Sequence, residues 1–266
     1  MKVCGSTGCP PKTSRRSGAG TPLHRPIRHA IALSGLLFAC SLAAESAADG
    51  NLLLAGVESR RSGENYAYLG ALIPLGARSR LGQGWVQRYW IDGYRYSYDV
   101  SNPALYGVDP QRIRGRGKGL EAALGYHFMR DGIAVAGYAG LRYADTEFSP
   151  DDPGSRVRGT KVWPKLQFEI AAPLGGRWES RNIASYTFGL EGYWLRTRLV
   201  RTTDDGYEIG PEVIALGDRD FKALKVGVAF GGLRPTPDSS LGLRGGYHFQ
   251  SESNAVYVGM DLAVKF

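Results

Sequence analysis

Residues 255–266, AVYVGMDLAVKF, constrain most tightly what this chain can fold into. Every second residue from Val256 is apolar: Val256, Val258, Met260, Leu262, Val264 and Phe266. The interleaved set, Tyr257, Gly259, Asp261, Ala263 and Lys265, is mostly polar or small. A β-strand sends successive side chains to opposite faces, so this segment has one apolar face and one mostly polar face. An edge strand of a soluble sandwich shows the same alternation. The terminal aromatic on the apolar face decides for the last strand of an outer-membrane β-barrel, with lipid on one side and the lumen on the other. Met260, Leu262, Val264 and Phe266 are therefore expected to form the barrel-assembly strand.

The amino-terminal end carries a different signal. Arg15, Arg16, Arg25 and Arg28 precede the apolar run AIALSGLLFACSLAA at residues 30–44, and small residues follow. That order is a secretory signal peptide, with cleavage expected after Ala48. The run is too short for the ~20 apolar residues of a spanning helix. Leu37-Phe38-Ala39-Cys40 loosely fits a lipoprotein site, but Phe38 is too bulky beside the cleavage position. The expected organisation is a leader at 1–48 and a barrel at 49–266.

The leader also accounts for most of the formal charge of +8. It holds Lys2, Lys12 and the four arginines already named against Glu45, which leaves 27 basic and 24 acidic residues downstream. A net charge of about +3 gives no footprint for nucleic acid. Cys4, Cys9 and Cys40 all lie in the leader, so the mature chain has no cysteine for disulfides or thiolate metal sites.

Downstream, alternating segments are separated by clusters of Gly, Pro, Asp and Ser, with no convincing helical period. Ten antiparallel strands are expected, at 52–58, 64–74, 85–99, 112–128, 133–147, 157–171, 183–199, 219–230, 241–250 and 255–266. Eight or twelve remain open, because 52–58 is short and 200–218 has room for a further hairpin. The Asp131-Gly132 pair marks a tight turn. With both ends periplasmic, the long loops 100–111, 148–156 and 200–218 all face outward. Two expected inner connections, 173–180 and 231–240, are longer than such turns usually are.

The same alternation points Glu121, His127, Arg142, Lys165, Gln167, Glu169, Glu191, Lys225, Arg244, His248, Asp261 and Lys265 inward. Mixed charge at that density fills a narrow lumen with ion pairs, and ten strands lie near the side-chain-filled limit. His248 with Ser251, Ser253 and Glu252 raises the alternative of a lipid-modifying hydrolase, but an inward histidine is the plainer reading. His127 has no partner at metal-ligand spacing. No catalytic residue, metal ligand or cofactor is expected. Trp85, Tyr89, Trp90, Tyr94, Tyr96 and Tyr98 suit either membrane-interface girdles, the preferred reading, or stacking on sugars.

This aromatic region also carries a resemblance. The elements are Tyr66-Ala67-Tyr68-Leu69-Gly70, Arg80-Leu81-Gly82-Gln83-Gly84-Trp85 and Tyr96-Ser97-Tyr98-Asp99. They resemble the opening of the cellulose biosynthesis protein BcsS family, and residues 119–126, GLEAALGY, look like its next strand. The resemblance implies an exported, non-enzymatic accessory of cellulose or related exopolysaccharide secretion in the outer membrane of a Gram-negative bacterium. Its partners would be outer-membrane lipid and other secretion components or the polysaccharide itself. A polysaccharide contact is then expected on the outward loops, at Tyr106 and Tyr207. The competing reading is a generic small barrel acting as a narrow pore or surface-loop adhesin.

Overall fold

The computed structural model describes residues 50–100, 111–153, 155, 157–218, 222–250 and 254–266. The expected leader, Ala48, Tyr106, Ser251, Glu252 and Ser253 lie outside them. Twelve strands make up the described fold: β1 (Leu52–Arg60), β2 (Asn65–Pro74), β3 (Gly84–Val100), β4 (Gln111–Arg130), β5 (Ile133–Ser149) and β6 (Gly159–Gly175), then β7 (Trp178–Thr187), β8 (Gly192–Thr202), β9 (Glu208–Gly217), β10 (Lys222–Leu233), β11 (Ser239–Gln250) and β12 (Ala255–Lys265). Each pairs antiparallel with its sequence neighbour, and β12 pairs β1 to close the barrel. Closure matters because no strand edge is then left without hydrogen-bond partners in a membrane. Asn51 and Phe266 extend the seam by exchanging backbone hydrogen bonds of 2.8 and 3.1 Å. The two ends of the barrel are called here the terminus end, where Asn51 and Phe266 sit, and the far end.

The two faces of the wall follow the alternation. On β12, Val258 is 60% exposed on the outside, while Tyr257 has no exposed surface inside. The exterior continues as an apolar belt that includes Leu69, Ile91, Leu120, Leu141, Leu166, Leu195, Val213, Val226 and Leu243. A belt of this kind meets lipid, and the fold is that of an outer-membrane barrel.

The strand count differs from the ten expected. Residues 183–199 form a hairpin, not one strand, and the turn falls at 188–191 with Gly189 at φ 80° and Glu191 at φ 56°. Its apolar residues Phe188 and Leu190 disguise it as continued strand. The alternation changes phase across the turn, so Tyr186 points outward on β7 while Trp194 on β8 shares the inward side with Arg196 and Arg198. Glu191 sits in the turn, not in the lumen wall. The expected outer loop 200–218 contains the end of β8, a five-residue turn and all of β9. Its turn lies at the terminus end. The overlong inner connections also shrink, because the strands beside them run longer than expected: Gly176 and Arg177 alone join β6 to β7, and residues 234–238 join β10 to β11. The Asp131-Gly132 turn holds as expected, with φ 53° and 80° as a type I′ hairpin requires.

The wall is uneven in height. β3 runs five residues beyond its last partner in β2, Arg95 opposite Asn65, and β6 runs six beyond its last partner in β7. At ~3.3 Å per residue, β3 to β6 therefore stand ~16 Å above their neighbours as a raised sheet at the far end.

Candidate functional site

An eight-stranded barrel is just filled by side chains, so twelve strands enclose more space than short residues can occupy. Long ones occupy it here. Arg88 and Lys165 both reach Glu121, the lysine at 2.6 Å. Arg142 grips Asp92 with two hydrogen bonds of 2.7 and 2.8 Å. Lys225 and Arg244 converge on Glu58, and Arg244 also reaches Asp261 at 2.6 Å. Arg198 pairs with Glu212, whose other oxygen accepts from the Tyr257 hydroxyl at 3.3 Å. Tyr68 donates to Asp261 at 2.8 Å, and Arg181 grips Glu208 bidentately. Glu212, His127, His248 and Tyr257 face inward, yet none has exposed surface. Packed side chains cover the lumen side of the wall at these positions.

The terminus end is closed differently. The connection at 75–83 turns inward and buries Leu81 with Leu52, Leu54, Leu72, Val86 and Tyr138. The Gly82 amide donates to His127 Nδ1 at 3.2 Å. That bond leaves His127 Nε2 carrying the proton toward the Tyr138 hydroxyl, 2.8 Å away.

The expected inward residues Glu121, His127, Arg142, Lys165, Gln167, Glu169, Lys225, Arg244, His248 and Asp261 all lie on the lumen side. Sequence reasoning missed Glu58, Arg88, Asp92, Arg181, Arg196, Arg198, Glu208 and Glu212. The last five sit on β7, β8 and β9, the region whose strands were misjoined. The first three follow directly from the strand alternation around Val86 and Leu54.

The aromatic strand is where expectation and structure differ most. Only Trp85 and Tyr89 face lipid; Trp90, Tyr94, Tyr96 and Tyr98 are on the lumen face of β3. The girdles come instead from scattered pairs such as Trp85 with Tyr126, Tyr186 with Phe188 and Tyr247 with Phe249. Inside, five aromatics each lie across a glycine directly opposite on a neighbouring strand: Tyr68 on Gly56, Trp90 on Gly70, Tyr94 on Gly117, Tyr96 on Gly115 and Tyr138 on Gly125. A Cβ at Gly70 would stand 2.2 Å from the Trp90 ring, and one at Gly117 would stand 2.4 Å from the Tyr94 ring. Glycine at those positions lets the rings lie flat on the wall.

The flat rings serve two different places. Within the barrel, Tyr68 and Trp90 stack at 4.4 Å, with the Arg88 guanidinium 4.6 Å from the Trp90 ring. From the rim up onto the raised sheet, Tyr94, Tyr96 and Tyr98 form a ladder with centroids 6.1 and 6.0 Å apart and planes 28° and 19° apart. Phe148 stands edge-on to the last two. A hydrogen bond between the Tyr94 and Thr146 hydroxyls and one from Tyr98 to Asp152 fix the ladder's two ends. Arg158 holds the neighbouring Asp151 with two bonds of 2.7 Å and keeps its carboxyl below the usual range.

The remaining expected positions are also located. Tyr207 is at the terminus end, in the β8–β9 turn, with its ring stacked on Phe230 of the outer wall. It is remote from the loops it was expected to join. His248 lies 3.0 Å from the Arg60 guanidinium. Among the described residues no cluster of His, Cys, Asp and Glu could hold a metal ion.

A family model described as cellulose biosynthesis protein BcsS matches residues 47–266. A search of curated proteins gives no match. Solved structures of similar fold include the KdgM porin in complex with disordered oligogalacturonate, at 9% identity and TM-score 0.47 over 81% of this chain and 99% of that one. The translocator domain of the autotransporter NalP from Neisseria meningitidis matches at 9% identity and TM-score 0.45, over 82% of this chain and 89% of that one. Outer membrane phospholipase A from Escherichia coli matches at 14% identity and TM-score 0.41, over 82% and 96%.

Proposed function

From its place in the cellulose biosynthesis protein BcsS family, to which the chain belongs, we propose that this barrel assists cellulose secretion without conducting the polymer. The observation that carries the reading is the closed interior. A glucan chain cannot thread a lumen in which Glu212, His248 and Tyr257 have no exposed surface. Any contact with the polysaccharide must then use a surface outside that plug. The raised sheet supplies one, because the ladder from Tyr94 to Tyr98 offers flat aromatic faces of the kind that stack on the C–H faces of sugars. On this reading β3 makes the contact in place of the outward-loop tyrosines Tyr106 and Tyr207. The reading assigns the far end to the cell exterior, since short turns belong on the periplasmic side.

Export through a leader cut after Ala48, into the outer membrane of a Gram-negative bacterium, completes the proposal. Met260, Leu262, Val264 and Phe266 give the assembly machinery its terminal strand. The protein acts without catalysis: His248 contacts a guanidinium where a hydrolase would orient its histidine with a carboxylate.

Deletion of the gene is expected to reduce dye-binding cellulose on whole cells while glucan synthesis in isolated membranes stays intact. Normal surface cellulose in the deletion strain overturns the accessory role. The generic-barrel reading then takes its place.

A further inference from the structure

The outer face of the raised sheet carries charge that neither the closed lumen nor the aromatic ladder uses. Arg95 on β3 and Arg112, Arg114, Arg116 and Lys118 on β4 all point outward and are exposed. Lys118 is two residues above Leu120, on the same face of the same strand, so the cations begin where the apolar belt ends. Register joins them across strands: Arg95 is opposite Arg116, and Arg114 is opposite Ser97. Like charges directly opposite each other destabilise a sheet unless something neutralises them.

Acidic side chains on the same face do this only in part. Glu147 takes two bonds from Arg116, at 2.9 and 2.7 Å, and Asp145 lies 3.7 Å from Lys118. Arg112 donates to the Ser97 hydroxyl at 2.8 Å. Arg95 and Arg114 have no carboxylate partner among the described side chains.

Beside this cluster the wall is grooved. A surface groove of about 890 Å³ runs from β12 across β1 and β2 to β4 and β5. Its floor is low because Ala67 and Gly93 present almost no side chain. Val57, Val258, Met260 and Leu243 form its apolar flank, and Arg95, Arg116 and Lys118 form the other. A second hollow of about 770 Å³ continues above it, past Arg112 and Arg114. An apolar channel that ends under unneutralised guanidinium groups matches an acylated molecule with an anionic head. Guanidinium pairs especially well with phosphate, through two parallel hydrogen bonds.

We propose that this groove binds a phosphate-bearing, acylated lipid of the membrane leaflet at the far end. The acyl chains lie against Val57, Val258, Met260 and Leu243, and the phosphate meets Arg95 and Arg114. Such a lipid neutralises Arg95, whose facing partner Arg116 is already held by Glu147, and fixes the raised sheet relative to the bilayer. The proposal rests on the membrane-spanning fold and is independent of any contact with cellulose.

The test uses the full barrel, purified in a zwitterionic detergent and examined by native mass spectrometry. The probes are bis-phosphorylated lipid A, the same lipid dephosphorylated, and inorganic phosphate. Wild-type protein is expected to retain the bis-phosphorylated lipid. Arg95→Gln with Arg114→Gln is expected to weaken that retention at least about tenfold, as loss of charge-assisted bonds does. Heat-modifiable migration on gels shows whether the variant has folded. If the pair does not fold, Arg114→Gln with Lys118→Gln reports on the same groove. Equal retention by variant and wild type overturns the proposal, and so does equal retention of the dephosphorylated lipid. Displacement of the lipid by millimolar inorganic phosphate also overturns it, since the site would then take a free anion.

Discussion

Glu212→Leu tests whether ion pairs or apolar packing hold the barrel interior. Glu212 has no exposed surface, and Arg198 beside it is 2% exposed. The substitution removes the carboxylate that accepts from Arg198 and from the Tyr257 hydroxyl. Arg198 then retains Asp261 at 3.9 Å, an acid that Arg244 already holds at 2.6 Å. Breaking a buried pair from one side costs ~3–5 kcal/mol, and the residual Asp261 contact argues for the lower end, ~3 kcal/mol. That is a shift of ~150-fold in the unfolding equilibrium. Urea titration of the barrel folded into lipid vesicles, followed by tryptophan fluorescence, measures it. Arg198→Met combined with Glu212→Leu removes both charges and is expected to return to within ~1 kcal/mol of wild type. A single variant that loses less than ~1 kcal/mol, or a double variant as unstable as the single, refutes the account of the plug.

Other substitutions probe the wall, the rim and the terminal strand. Val258→Arg places a charge on the lipid-facing side of β12, in register with Arg95 and Arg116 at the edge of the belt, and should destabilise the folded barrel by ~1 kcal/mol, read from the same titration. Gly70→Val drives a side chain into the Trp90 ring and should lower the folded yield, whereas unchanged heat-modifiable migration would show that the flat ring is dispensable. Phe266→Asp should reduce assembly in cells more than the ~0–1 kcal/mol interface penalty predicts, because the loss is one of recognition. Equal barrel yield in cells would remove Phe266 from the assembly role. Tyr96→Ala with Tyr98→Ala should lower surface cellulose while leaving barrel yield intact, and normal dye binding would take the ladder out of the proposed contact.

How much of this was legible in the sequence depended on where alternation ran unbroken. On β12 every residue is on the face the sequence assigns, because no bulge, turn or glycine pair interrupts the period of two. On residues 183–199 the same reasoning misread a hairpin as one strand. The turn residues Phe188 and Leu190 are apolar, and Gly189 is one glycine among many strand glycines. Glycine therefore had two meanings that a single sequence does not separate. At Gly189 it allows a positive φ, and at Gly70 or Gly117 it makes room for a ring across the sheet. The cost of that ambiguity appears downstream, where Arg196, Arg198, Glu208 and Glu212 were lost from the expected lumen. The aromatic strand failed for a different reason. Trp90 and Tyr89 are adjacent and so must face opposite sides, and strict alternation already puts four of the six indoors.

The glycine–aromatic pairs also explain how one strand can both seal the barrel and present a surface. β3 lays Trp90 flat below the rim and Tyr94 and Tyr96 flat at and above it, each on a glycine of a neighbouring strand. Below the rim the opposite wall is near, and Arg88, Glu121 and Lys165 fill the space against the ring faces. Above it neither β2 nor β7 continues, so the sheet that carries the ladder has no paired neighbour on either side among the described residues. The same local chemistry thus gives a plug where the barrel is complete and an aromatic face where only β3 to β6 continue. Strand length, more than residue type, separates the two roles. Shortening β3 and β4 together below Tyr96 should therefore abolish a glucan contact without opening the lumen, since Glu121, Asp261 and Glu212 remain in place. Vesicle conductance should stay at background in that variant. Conductance that rises with the truncation would mean that the raised sheet, and not the ionic plug, closes the barrel.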